Sequence, residues 1–329
     1  MPEGSSRDRI GLASIARVGA GLNRPECVLA NARGDLFTAD WRGGVAHIRP
    51  DGTQALYQGE LAGGRPARPN GIALRRDGSF LFADLGADAG GVFALARDGV
   101  IHPFVVEVDG VALPPSNFVA EDARGRIWIT VSTRLVPRAL AYRREVADGF
   151  IVLVDRGRAR IVADGMGFTN EAILDATGEW LYVNETFARV TSRFPVRHDG
   201  ELGAREVFVQ YGPGTYPDGM AFDEEGHLWV VSIVSNRVMR VAPDRSITVV
   251  VEDAEADHVA WVERAYVAGE LGRPHLDTSR SGTLRNISSI AFGGVDRRTV
   301  YLGCLLDDAI YAFRAPVAGL APAHWNWPA

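Results

Sequence analysis

The chain has 329 residues, 47% of them apolar and 23% charged, with a net charge of −6 and 35 basic residues that are all arginine. Without lysine there is no Schiff-base or pyridoxal-phosphate chemistry and no phosphate loop ending in Gly-Lys-Ser/Thr. The acidic balance argues against nucleic acid or an anionic membrane as the main partner, and no apolar run approaches the ~18 residues of a membrane span.

The N-terminal stretch is charged and lacks an apolar signal core. Cys27 and Cys304 form neither a disulfide framework nor a metal knuckle. The expectation is a cytoplasmic protein with reduced thiols. A short strand signal at residues 13–18 precedes the first of six related segments. These are PECVLANARGDLFTAD from Pro25, PNGIALRRDGSFLFAD from Pro69, SNFVAEDARGRIWITV from Ser116, TNEAILDATGEWLYVN from Thr169, PDGMAFDEEGHLWVVS from Pro217, and the looser SSIAFGGVDRRTVYLG from Ser288.

Each segment reads as a polar residue, an apolar strand, a glycine turn and a second strand. In the first five, the turn glycine (Gly34, Gly78, Gly125, Gly178, Gly226) falls at one fixed offset from the polar residue. Two further strand signals follow each pair, and the spacing matches the ~40–50-residue period of propeller blades. The prediction is an all-β, six-bladed β-propeller with four-stranded antiparallel blades around a central channel. It is expected to be one domain over 1–329. Residues 1–22 would close the last blade, and a lid-like insertion over 253–286 would carry a helix at 257–271.

Strand parity puts the opening polar residues on the face that carries the long loops 132–149 and 253–286. Binding residues are expected there. These polar residues are Glu26, Asn70, Asn117, Asn170, Asp218 and Ser288. Four of them, Glu26, Asn117, Asn170 and Asp218, are oxygen donors suited to a hard divalent cation such as calcium, magnesium or manganese. Pro-Asn-Gly and Pro-Asp-Gly are also ordinary turn signals. The common register sets the four apart, whereas Asn70 and Ser288 fit a supporting or structural role equally well. The tryptophans Trp128, Trp180 and Trp229 read as packing between blades, and Cys27 as a buried apolar residue. His258 lies on the lid, with solvated-residue and general-acid readings both open. With no lysine, any cationic grip on a substrate falls to arginines of the long loop: Arg134, Arg138 or Arg143.

Together, Arg24-Pro25-Glu26, Pro69-Asn70-Gly71, Ser116-Asn117, Phe168-Thr169-Asn170, Leu181–Thr186, Tyr216-Pro217-Asp218-Gly219 and Ile290–Gly294 resemble the senescence marker protein, gluconolactonase and luciferin-regenerating enzyme family of six-bladed propellers. The resemblance implies one catalytic divalent metal, calcium ahead of magnesium, manganese or zinc. It would be held by Glu26, Asn117, Asn170 and Asp218, with Asp218 also the general base. It implies a metal-dependent hydrolase that opens a lactone or related ester. The substrate would meet Asn70, Glu171, Ser288, Arg134 and His258. An isomerase or cyclase on the same site, and a non-catalytic cation-binding propeller, are the alternatives. The expected partner is a small molecule, and the expected state a monomer or small homo-oligomer. Three positions depart from the family pattern: Cys27, Phe118 and Glu171. Phe118, with no arginine just upstream of Asn117, removes groups that grip sugar hydroxyls. That points to a less polar lactone or ester than gluconolactone.

Overall fold

The repeated turns fold for a local reason. In the third repeat the Asp122 carboxylate accepts the backbone N–H groups of Arg124 at 2.8 Å and Arg126 at 3.0 Å. In the fifth, Asp223 accepts those of Glu225 at 3.0 Å and His227 at 2.9 Å. Such side-chain-to-backbone bonds hold the chain in a tight turn. The five turn glycines have φ between 71° and 83°, a left-handed conformation that a Cβ atom would strain. That is why the same offset recurs.

A computed structural model describes residues 9–87 and 90–327, so the first eight residues of the expected closing segment lie outside it. The protein is a six-bladed β-propeller of four-stranded antiparallel blades. The innermost strands are Val28–Ala30, Pro69–Leu74, Phe118–Glu121, Thr169–Leu174, Tyr216–Phe222 and Ile287–Gly293. Each meets its neighbours around the axis. The sixth blade takes its outer strand from the start of the chain: Ala16–Val18 pairs antiparallel with Ile310–Arg314, Ala16 opposite Ala312. The two chain ends thereby close the ring.

The core lies between blades. Trp128 and Trp229 are fully buried, and each indole N–H donates to the aspartate of its own turn, Asp122 at 3.0 Å and Asp223 at 2.9 Å. Trp180 also packs between blades, against the cluster that Tyr182 and Phe208 of the fourth blade form with Met220 and Phe222 of the fifth. It is only half-buried, with the Arg193 guanidinium 4.2 Å above its ring. It follows its turn glycine by two positions where Trp128 and Trp229 follow theirs by three. A shift of one residue moves a strand side chain to the opposite face of the sheet.

The helix expected at 257–271 is α1, Ala256–Ala268, capped by the Glu255 side chain, which accepts from the N–H groups of Asp257 and His258. A second short helix, α2, spans Arg273–Leu276. The apolar face of α1, with Val262, Ala265 and Tyr266, packs on Tyr216, Phe187 and Ile233 at the upper mouth of the channel. Among the described residues no helix is long and apolar enough to cross a membrane.

Two cavities lie along the axis. The upper, of about 40 Å³, sits among the opening polar residues. The lower, of about 420 Å³, is lined mostly by apolar inner-strand residues and the A–B turns. The C-terminal segment crosses the lower face, where Leu320 donates its N–H to the Phe222 carbonyl and Ala32 donates to that of Trp325. This carries His324 into the lower cavity, and burial pushes its imidazole down to about 4. The unfolded chain takes up that proton near 6.5 and the folded chain does not, so the unfolded state binds more protons between those values. The contribution of His324 is therefore complete above pH 6.5 and is lost as pH falls towards 4. His324→Phe should flatten the decline of urea stability over that window, by up to about 3 kcal/mol at the acid end. A decline as steep as that of the parent would show that His324 does not cause it.

Candidate functional site

Polar side chains enter the upper cavity because each inner strand begins there, before its apolar run turns into the core. Two lead-in residues, Arg24 and Phe168, have positive φ of 52° and 68°. For non-glycine residues this is an uncommon backbone state, found most often at functional sites. Each stands two positions before a ring residue, Glu26 and Asn170, and each lines the cavity.

The ring is linked by hydrogen bonds from blade to blade. Asn70 Nδ2 donates to Glu26 Oε1 at 3.0 Å and to Asn117 Oδ1 at 3.1 Å. Asn117 Nδ2 donates to Asn170 Oδ1 at 2.6 Å, and Asn170 Nδ2 to Thr186 Oγ1 at 3.1 Å. Thr186 in turn donates to the Pro217 carbonyl at 2.8 Å. Arg138, from the long loop of the third blade, donates to Asn117 Oδ1 at 3.1 Å and to Ser132 Oγ at 2.9 Å. Glu26, Asn70, Asn117, Asn170 and Asp218 are all buried.

Two oxygens in this network, Asp218 Oδ1 and Asn70 Oδ1, are buried without a partner. Burial pushes the Glu26 carboxyl up to about 7, against the pull of Arg24 and Arg138. Burial, and then the Glu26 charge, raise Asp218 well above the carboxylate range. Two buried carboxylates that repel each other, with three amide side chains beside them, form a donor set that could hold a hard cation. No thiol or imidazole lines the cavity. Among the described residues no three His, Cys, Asp or Glu side chains gather in metal-binding range, so a coordination shell here would need the asparagine oxygens as well as Glu26 and Asp218.

The structure brings together six of the residues singled out from sequence, Glu26, Asn70, Asn117, Arg138, Asn170 and Asp218, and leaves Arg143 and four others outside. Ser288 Oγ donates to the Glu26 backbone carbonyl at 3.0 Å, so it braces the strand that presents Glu26 and does not line the cavity. Arg134 is held on the surface by Asp164, with contacts of 2.8 and 2.7 Å, because its position at the loop's root points it outwards. His258 is buried, not solvated: it lies in the first turn of α1 beside Trp261, away from the cavity. Glu171 turns down into the lower cavity, where its carboxylate accepts the Met220 N–H at 2.9 Å. Several lining residues had no individual sequence signal: Arg24, Tyr142, Thr186, Phe187 and Arg273. Arg24 and Thr186 sit inside the quoted motifs. Arg273 comes from α2, and only the tertiary fold places it.

Comparison with known proteins fits this geometry. Residues 65–262 match the family model described as the SMP-30/gluconolactonase/LRE-like region. The chain belongs to this family. One curated relative is a 6-deoxy-6-sulfogluconolactonase from Pseudomonas putida, 27% identical over 284 residues that span 84% of this chain and 81% of that protein. Among solved structures, a gluconolactonase from Xanthomonas campestris is similar at a TM-score of 0.67, with 18% identity over 92% of this chain and 89% of that one. A calcium-binding regucalcin from Agrobacterium tumefaciens gives the same TM-score at 17% identity, over 95% and 97% of the two chains.

The structure accounts for the three departures from the SMP-30/gluconolactonase pattern. They fall directly after a ring residue, where inner strands of neighbouring blades touch. A Cβ on Gly71 would lie 2.6 Å from the Phe118 Cα, and one on Gly219 would lie 3.0 Å from a Glu171 carboxylate oxygen. A glycine in one blade thus makes room for the large side chain in the next. Cys27 is buried with its thiol 3.9 Å from the Ile72 carbonyl, and burial raises its pKa well above the ordinary value. That suits a packing residue better than a nucleophile.

Proposed function

We propose that this protein is a lactonase: it opens the ring of a small lactone, most naturally that of a sugar acid, with water, and depends on one divalent cation. The observation that carries this reading is Asp218 Oδ1, a buried carboxylate oxygen without a partner, beside Glu26 in a cavity of oxygen donors. The family membership and the Pseudomonas putida relative, named for a sulfonated gluconolactone, support it.

Glu26, Asn117, Asn170 and Asp218 would hold the cation. When bound, it would polarise the lactone carbonyl and offset the negative charge that develops on its oxygen. Asp218 Oδ1 would take a proton from the attacking water and return it to the ring oxygen as the acyl C–O bond breaks. Asn70 orients Glu26 and Asn117 through its side-chain hydrogen bonds to both. Tyr142, Phe168 and Phe187 pack edge-on or tilted against one another at the mouth, with centroids 4.7–5.4 Å apart, and would shield the reacting carbonyl from bulk water.

The test pairs elemental analysis of the purified protein with a panel of sugar, aliphatic and aromatic lactones before and after chelation. The expected result is about one divalent ion per chain, hydrolysis that disappears on chelation and returns with calcium, and a lower Tm for the stripped protein. If chelation altered neither activity nor Tm, the metal requirement would fall. If no lactone were opened by the metal-replete protein, the lactonase reading would fall with it.

A further inference from the structure

The upper cavity has more positive than negative charge on its walls. Three arginines line it, Arg24, Arg138 and Arg273, against two carboxylates, Glu26 and Asp218. They arrive from three separate parts of the chain: the lead-in to the first blade, the long loop of the third, and α2 of the 253–286 insertion. All three line one cavity of about 40 Å³.

Their hydrogen-bonding capacity is not used up. The Nε atoms of Arg24 and Arg138 are buried without a partner. Among the described residues Arg24 forms no ion pair; its guanidinium rests on the Trp41 ring at 4.4 Å. Arg273 is steadied at the rim by Asp277, with a contact of 3.0 Å, which leaves it as the outer member of the group. Gathering like charges in so small a cavity costs free energy that an oxyanion would offset, and guanidinium is the side chain best shaped to bind one.

We propose that Arg24, Arg138 and Arg273 select a lactone that carries an oxyanion substituent, a carboxylate or sulfonate, on the part of the molecule away from the reacting carbonyl. This rests on the lactonase reading and sharpens it. Discrimination comes from the wall arginines, while Asp218 and the ring act on the carbonyl end. The sequence points instead to a less polar lactone, because no arginine stands just upstream of Asn117. In the fold Arg138 reaches Asn117 from 21 residues downstream.

The experiment compares two γ-lactones that differ in one group: that of gluconic acid, which ends in a neutral CH2OH, and that of glucaric acid, which ends in a carboxylate. Wild type should favour the glucaric lactone in kcat/KM by about tenfold or more, mostly through KM. Arg24→Gln and Arg138→Gln should each reduce that preference about tenfold, and lysine at either position should restore part of it. Calorimetry with the open acids gives a reading that does not depend on turnover. Glucarate should bind wild type about tenfold more tightly than gluconate, and the glutamine variants should lose the difference. Arg138 also touches Asn117, so Arg24→Gln carries the test if Arg138→Gln fails to fold. Equal preference in wild type, or a preference unchanged in both glutamine variants, overturns the proposal. If neither lactone is opened yet glucarate binds selectively, the arginine group stands and the lactonase reading fails.

Discussion

Asp218→Asn should fold as well as the parent and lose about three orders of magnitude in kcat for lactone hydrolysis. The two side chains have the same shape, so the buried ring keeps its packing. The aspartate is buried beside Glu26, and both burial and that neighbour disfavour its charge. Without a bound cation, neutralising it removes a repulsion, and the Tm of the metal-free protein should be unchanged or slightly higher. An amide, however, cannot accept the proton of the attacking water. Loss of a general base alone costs about 10²–10⁴ in rate, and loss of an anionic metal contact adds to it. Steady-state kinetics at saturating calcium, together with a thermal melt, provide the check. A kcat within tenfold of wild type would remove Asp218 from the chemistry.

Trp229→Ala should cost about 4 kcal/mol of stability, measured by urea unfolding. The indole is fully buried between the fifth and sixth blades, edge-on to Phe292 with centroids 5.2 Å apart. Cores rarely collapse around so large a void, so transfer and cavity costs add. Trp229→Phe separates the two roles of the side chain. It keeps most of the apolar volume and gives up the 2.9 Å bond to Asp223. Asp223 still accepts from Arg240 Nε at 2.7 Å and from two backbone N–H groups, so the cost should be only about 1 kcal/mol. If alanine and phenylalanine cost the same, the hydrogen bond and not the packing would dominate at this position.

Much of the scaffold was legible in the chain because propeller blades repeat the same local physics. A turn that needs a left-handed glycine leaves a fixed offset in sequence, and five such turns leave it five times, four of them opened by an aspartate or asparagine three residues earlier. The ring positions were readable for the same reason: Glu26, Asn70, Asn117, Asn170 and Asp218 stand at one register, and equivalent registers meet at the axis. Direction was harder to read. Trp180 lies one position out of register with Trp128 and Trp229, and the pleat turns it to the other face. Glu171 is adjacent to Asn170, yet it points into the lower cavity for the same alternation.

The sequence by itself determined the blade count, the strand order, the face that carries the long loops and the five polar residues that meet there. All of these follow from periodicity and parity, which are local properties of the backbone. The tertiary structure decided what surrounds that ring. It withdrew Ser288, Arg134, His258 and Glu171 from the upper cavity, chose Arg138 among the three arginines of the long loop, and brought in Arg24 and Arg273 from two distant segments. Long irregular loops carry no period from which a side chain's direction can be read. Their course is set by what they pack against, here the aromatic cluster of Tyr142, Phe168 and Phe187 and the apolar face of α1. The charge of the cavity, and with it the kind of substrate the site would accept, is therefore a property of the folded chain.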